Sequence, residues 1–200
     1  MADAGALTVE SYLASLPAGL DSYPDCQQKA SVFRVFLAGI RPESFSARLP
    51  PTLATLATSP PPVNLWLPEV HAHAVFIAAR EAAFADDEAY ERFAYRQNAA
   101  LLESPLYSIL FKFVSPERVI RGAPSRWGHF HRGMTLVPEM SEPGRAALRL
   151  QASPGLLPPL LARCYGTAFR AALEAAGAKH VSVELTPIES RAFRYAASWM

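Results

Sequence analysis

The spacing of apolar residues changes near residue 134, and this change most constrains the fold. Before it, apolar residues recur at helical spacing, as Phe33, Phe36, Leu37 and Ile40 do. From Met134 onward they alternate in short segments, which is typical of strands. We therefore predict an α+β fold, with a helical N-terminal part packed on a small antiparallel sheet.

The C-terminal segments predict the order strand, strand, helix, strand, strand. "MTLVPEM" and "RAALRL" alternate on either side of the turn-like "SEPG". "LPPLLARCYGTAFRAALEAAG" has the spacing of a long amphipathic helix, and "HVSVEL" and "AFRYAASW" supply the last two strands. Trp199 shares the apolar side of the last strand with Phe193 and Tyr195, so we expect it to be structural.

Several helix starts are visible in the first part. We expect one helix after Asp25 as N-cap, two antiparallel helices joined at 85–87, and further starts at Ser104 and Ser115, each followed by proline. Residues 48–68 contain six prolines, which predicts at most a short helix and then an extended connector. We divide the chain into a helical part, 1–126, and a ββαββ part, 127–200, expected to form one compact unit.

The composition excludes several classes of protein. Charged residues make up 18% and the formal net charge is +1, which argues against a nucleic-acid-binding protein. No apolar stretch reaches the roughly 20 residues that span a bilayer, and the first residues lack a secretory signal, so we expect a cytoplasmic location. Cys26 and Cys164 form no metal-binding or disulfide pattern and are expected to be small buried hydrophobes.

The histidines are the candidate metal ligands. In "WGHFHRGM", His129 and His131 would point the same way on a strand and could supply two nitrogen ligands. A third ligand is missing nearby, so we expect a solvated or capping role for both. On a helix His71 and His73 lie about 200° apart, and Glu69 with His73 forms an i, i+4 pair that we expect on a solvated face. No G-x-S-x-G or Gly-rich phosphate motif is present.

Four segments carry a family resemblance. "LPAGLDSYPDC", "SPERVIRGAPSRWGHFHRGMTLV", "YGTAFRAALEAAGAKHVSVEL" and "AFRYAASW" resemble the myxobacterial domain-of-unknown-function family 2378, over about Leu16 to Trp199. This resemblance implies no particular chemistry.

The predicted layout is also similar in pattern to the H-NOX and vinyl-reductase-type ligand-sensing folds. In heme-binding H-NOX domains a helix carries the proximal histidine, and a Tyr-x-Ser-x-Arg motif holds the heme propionates. The nearest counterpart here, "EMSEPGR" at 139–145, has no tyrosine and places Ser141 four residues before Arg145. We therefore expect no cofactor, and the sequence does not support heme.

Together these features predict a non-catalytic small-ligand-binding, signalling or interaction domain. The expected ligand is small and apolar or amphipathic, and lies in the crevice between helices and sheet. Arg145, Arg149, His180 and Arg194 on the polar face of the sheet would accept an anionic head group. The alternatives are a metal-dependent enzyme using His129, His131 and His180, or a pure scaffold for a protein partner.

Overall fold

The computed structural model describes residues 7–105, 107–111, 114–189 and 191–200, without the side chains of 187–189. The helices include α1 Val9–Ala14, α2 Ala30–Ala38, α3 Pro51–Thr58, α4 Glu69–Ala83, α5 Asp87–Glu103, α6 Pro116–Arg121, α7 Ala123–Trp127 and α8 Pro159–Ala175. The strands include β1 Gln27–Lys29, β2 Trp66–Pro68, β3 His131–Arg132, β4 Thr135–Glu142, β5 Arg145–Gln151, β6 Ser182–Glu189 and β7 Ala192–Ser198. The α+β class is confirmed.

The C-terminal sheet has the predicted strand, strand, helix, strand, strand order. Its strands lie in the spatial order β4-β5-β7-β6, and every neighbouring pair is antiparallel. Alternation places Leu150 opposite Phe193 and Leu148 opposite Tyr195, so these apolar side chains share one face. Helix α8 covers that face, and the Tyr195 hydroxyl donates a hydrogen bond to the Ala162 carbonyl at 2.9 Å.

A second, three-stranded sheet was not predicted. Its order is β2-β1-β3, and Gln28 pairs with Leu67 on one side and His131 on the other. The amphipathic helix predicted after Asp25 is confirmed as α2, but its predicted start is wrong, because β1 occupies 27–29 and α2 begins only at Ala30. Pairing with strands distant in sequence outweighs the local helical spacing.

The remaining helix predictions have mixed outcomes. The joint at 85–87 is confirmed, since α4 ends at Ala83 and the Asp86 side chain caps α5. Ser115 caps α6 as predicted, and the proline-rich segment forms the short α3 followed by an extended stretch. The helix predicted from Ser104 is reduced to one 3₁₀ turn at Ser108–Leu110, and part of it, residues 106, 112 and 113, lies outside the described residues.

One hydrophobic core extends through both parts of the chain. It contains Tyr12 and Ile77 from the helical part, and Leu150 and Tyr195 from the sheet. Helix α5 packs against both α2 and α8, so it lies between the two parts. None of the described helices is long and apolar enough to cross a membrane.

Candidate functional site

A buried cluster of polar residues begins at the first turn of α4. Glu69 and His73 are 0% and 1% exposed, so the prediction that their helix face is solvated is wrong. The helix start is fixed by a hydrogen bond of 2.8 Å from the Glu69 amide to the Cys26 carbonyl, next to β1. Apolar residues surround most of α4, and the i, i+4 pair points into the core rather than into water.

Two histidines and a tyrosine contact the Glu69 carboxylate. Its Oε1 lies 3.2 Å from His73 Nε2 and 3.2 Å from His131 Nδ1. The Tyr165 hydroxyl of α8 donates to the same oxygen at 2.5 Å. Residues from α4, β3 and α8 thus meet at one buried carboxylate.

Both ring nitrogens of His73 make polar contacts. Its Nδ1 lies 2.9 Å from the Leu156 carbonyl, which also accepts a hydrogen bond of 3.0 Å from the Tyr12 hydroxyl. A carbonyl can only accept, so Nδ1 carries the hydrogen of that bond. The other ring nitrogen, Nε2, faces the Glu69 carboxylate and lies 3.3 Å from the Tyr165 hydroxyl.

The cluster shifts two pKa values in opposite directions. Burial alone would raise the pKa of Glu69, but His131 and then His73 outweigh it and hold the pKa well below its usual value. Burial, followed by the Glu69 charge and hydrogen bond, raises the pKa of Tyr165 well above 10. Glu69 therefore stays ionised and Tyr165 stays a hydrogen-bond donor across the ordinary pH range.

His131 and His129 do not act as a pair. The strand begins at His131, whose ring is buried and stacks on Trp127 with centroids 4.1 Å apart, whereas His129 is exposed in the preceding turn. The predicted solvated role of His131 is wrong. His180 lies before β6 in an exposed turn with φ +51°, so it does not complete a set with them. Among the described residues no group of three or more His, Cys, Asp or Glu side chains could hold a metal ion.

A cavity of about 150 Å³ adjoins this cluster. Its walls come from α2, α4, α5, α7, α8 and the sheet, and most are apolar or aromatic, as Phe36, Phe76, Trp127 and Phe169 are. His73, His131 and Tyr165 of the cluster also contribute to the lining. The cavity thus lies where the sequence placed a ligand crevice, between the helices and the sheet.

Gln28 is one of the polar residues of the cavity wall that sequence reasoning missed, together with Gln97, Asn98 and Arg126. It is 1% exposed, lines the cavity, and is the direct cross-strand partner of His131. Its Nε2 makes no hydrogen bond to any residue that the structure describes. No local signal marks it, because "DCQQKASV" has a helical pattern and the strand depends on distant partners.

The structure places the four predicted anion-binding residues in three locations. Arg149 and Arg194 are opposite each other on β5 and β7, and both contact Glu139, at 3.3 and 3.1 Å. Arg145 pairs with Glu142 at 2.6 Å. His180 lies outside the strands. Arg149 and Arg194 come together, and their role in anion binding stays a prediction.

Sequence comparison finds no matching protein family and no matching curated protein. Structure comparison finds clear likenesses. The Fe(II) unliganded H-NOX protein from K. algicida aligns with a TM-score of 0.63 at 8% identity, over 86% of this chain and 96% of that one. An oxygen-binding H-NOX domain related to soluble guanylate cyclases aligns with a TM-score of 0.57 at 5% identity, over 84% and 91%. The chain has the H-NOX fold.

The same comparison corrects the cofactor prediction. A structure from work on modulating heme redox potential through protein-induced porphyrin distortion aligns with a TM-score of 0.55 at 6% identity, over 84% of this chain and 96% of that one. The expectation of no cofactor, with heme unsupported, is wrong because domains of this fold include heme proteins. The absence of a Tyr-x-Ser-x-Arg motif is not sufficient to exclude heme. The resemblance to family 2378 stays a prediction.

Proposed function

We propose that this protein is a non-catalytic ligand-sensing domain that binds a small molecule in the cavity between its helices and its sheet. The observation that carries the proposal is the cavity itself, which is apolar and adjoins a buried polar cluster. The H-NOX fold of the chain supports it, since an oxygen-binding H-NOX domain shares this fold. We also propose that the protein is cytoplasmic and that a protein partner responds to its ligand-bound form.

The volume of about 150 Å³ and the mostly apolar walls define the class of ligand that the cavity suits. Engineered apolar cavities of similar size, about 150 Å³, take up benzene or xenon. A molecule of that size, mostly apolar, would fill the space without moving the walls.

The fold suggests heme as the candidate cofactor, and His131 is the residue that would hold its iron. Heme iron needs one axial protein ligand, and a histidine whose other nitrogen contacts a carboxylate is a common metal ligand. His131 has this arrangement, with Nδ1 on Glu69 and Nε2 without a hydrogen bond to the described residues. When bound, heme would supply an iron centre able to bind a diatomic gas.

The donor chemistry of His131 fits iron, whereas a porphyrin exceeds the space that the walls now enclose. Pockets for ligands of that size begin at about 300 Å³. The cavity as the structure has it therefore does not fit a porphyrin, and the support for heme comes from the chemistry of His131 and from the fold.

Two titrations test the proposal. Hemin is added to the purified protein and to the His131→Ala and His129→Ala variants, with the exposed His129 as matched control. A stoichiometric Soret band that changes in His131→Ala alone identifies heme as the ligand. Styrene is titrated in parallel, and calorimetry measures whether this small apolar molecule binds. Binding of neither hemin nor styrene would overturn the proposed function.

A further inference from the structure

Gln28 places a buried carboxamide in the wall of the cavity. Its Nε2 has no hydrogen-bond partner among the described residues although the side chain is 1% exposed. A buried donor without a partner is rare in native proteins because its desolvation is not compensated. Such a group in a cavity wall points to a partner atom inside the cavity.

The position of Gln28 is determined by its backbone. It is the middle residue of β1, the central strand of the three-stranded sheet, with Leu67 and His131 as its cross-strand partners. Alternation turns Gln28 inward, whereas Gln27 and Lys29 are partly exposed on the other side. The carboxamide and the imidazole of His131 therefore approach the cavity from adjacent strands.

We propose that the cavity selects a neutral ligand that carries a hydrogen-bond acceptor, such as a carbonyl oxygen, and that Gln28 Nε2 donates to it. The inference rests on the proposed function, whose ligand it specifies. The apolar walls and the volume of about 150 Å³ restrict the remainder of the ligand to about one aromatic ring or a short chain.

A charged ligand does not suit this site. The Glu69 carboxylate beside the cavity already contacts His73, His131 and Tyr165. The guanidinium of Arg126 in the cavity wall already donates to the Leu110 and Arg118 carbonyls. A charged ligand would have to displace one of these contacts or stay unpaired among apolar walls, which is unfavourable. An amide donor instead matches a neutral oxygen.

Styrene and benzaldehyde are a matched pair of probes, since they share a shape and differ by a methylene group against a carbonyl oxygen. The dissociation constants of both are measured for the wild type, for Gln28→Met and for the control Gln27→Met. We expect the preference for benzaldehyde over styrene to fall about tenfold in Gln28→Met and to stay unchanged in Gln27→Met. Comparing ratios cancels the different transfer free energies of the two probes.

The outcomes separate the two proposals. If styrene binds but Gln28→Met leaves the ratio unchanged, the acceptor-selecting role of Gln28 is overturned and the ligand-binding cavity stands. If neither probe binds the wild type and hemin does not bind either, the proposed function itself fails. Thermal unfolding of Gln28→Met and Gln28→Leu checks that both variants keep the fold. A fall in the preference for benzaldehyde over styrene in both folded variants supports the proposal.

Discussion

The Nδ1 atom of His131 lies 3.2 Å from Oε1 of Glu69, although 62 positions separate the two residues. Glu69 begins α4 in the helical part, and His131 begins β3 in the ββαββ part. Tyr165 of α8 contacts the same carboxylate. A single buried charge therefore joins the two parts of the chain beside the cavity.

Replacement of Glu69 by glutamine should destabilise the protein strongly. The amide keeps the shape of the side chain but removes the buried carboxylate that His73, His131 and Tyr165 contact. Breaking a buried, hydrogen-bonded ion pair on one side typically lowers the free energy of unfolding by about 3–5 kcal/mol. Urea denaturation of wild type and Glu69→Gln measures the difference.

An exposed ion pair on α5 provides the matched control for that change. Glu88 pairs with Arg92 one turn later, and 82% of the Glu88 side chain is exposed. Glu88→Gln should change the free energy of unfolding by less than about 1 kcal/mol. Equal effects of the two substitutions would show that the Glu69 cluster does not hold the parts together.

The contribution of Glu69 should depend on pH in a defined direction. Its pKa in the folded protein lies below the usual 4.5, with His131, His73 and Tyr165 facing it. The stabilisation is therefore fully present above about pH 4.5 and is lost as the pH falls toward the folded pKa. The difference in free energy of unfolding between wild type and Glu69→Gln, measured by urea denaturation from pH 7 to pH 3, should be constant near neutrality and shrink below pH 4. A difference that grows on acidification would contradict the ionised state of Glu69.

The sequence reveals the parts of the fold that depend on local pattern. Alternation from Met134 onward predicts the ββαββ order, and the S-P-E start at Ser115 predicts α6. Both depend on residues close together in the chain, where side-chain period and capping act directly.

The candidate site depends on contacts between residues that lie far apart in the chain. The local sequence pattern around each of these residues is therefore misleading about its burial. The Glu69 and His73 pair is visible as an i, i+4 spacing, but its burial follows from pairing among β1, β2 and β3, whose Gln28, Leu67 and His131 lie far apart. The same pairing turns Gln28 into the cavity. Periodicity of a single segment cannot reveal which face of it another segment will cover.

The predicted anion-binding role of Arg149 and Arg194 can be tested through Glu139, which contacts both guanidinium groups. Replacement by glutamine removes the carboxylate that competes with an external anion, so Glu139→Gln should bind inorganic phosphate more tightly than the wild type. Arg149→Ala in that background should remove the gain, while Arg145→Ala should not, since Arg145 pairs with Glu142. Phosphate affinity that is the same in wild type and Glu139→Gln would leave the arginine pair without a role in anion binding.

Trp199 and Met200 should differ sharply in their effect on stability although they are adjacent. Trp199 is 9% exposed and belongs to the main core, and its amide donates to the Gly144 carbonyl at 2.9 Å, whereas Met200 is 79% exposed. Loss of a buried aromatic side chain typically lowers the free energy of unfolding by about 3–5 kcal/mol, while an exposed substitution changes it by less than about 0.5 kcal/mol. Trp199→Ala should therefore lower the melting temperature by many degrees and Met200→Ala should leave it nearly unchanged, as measured by circular dichroism. Similar melting temperatures for the two variants would contradict the burial of Trp199 in the main core.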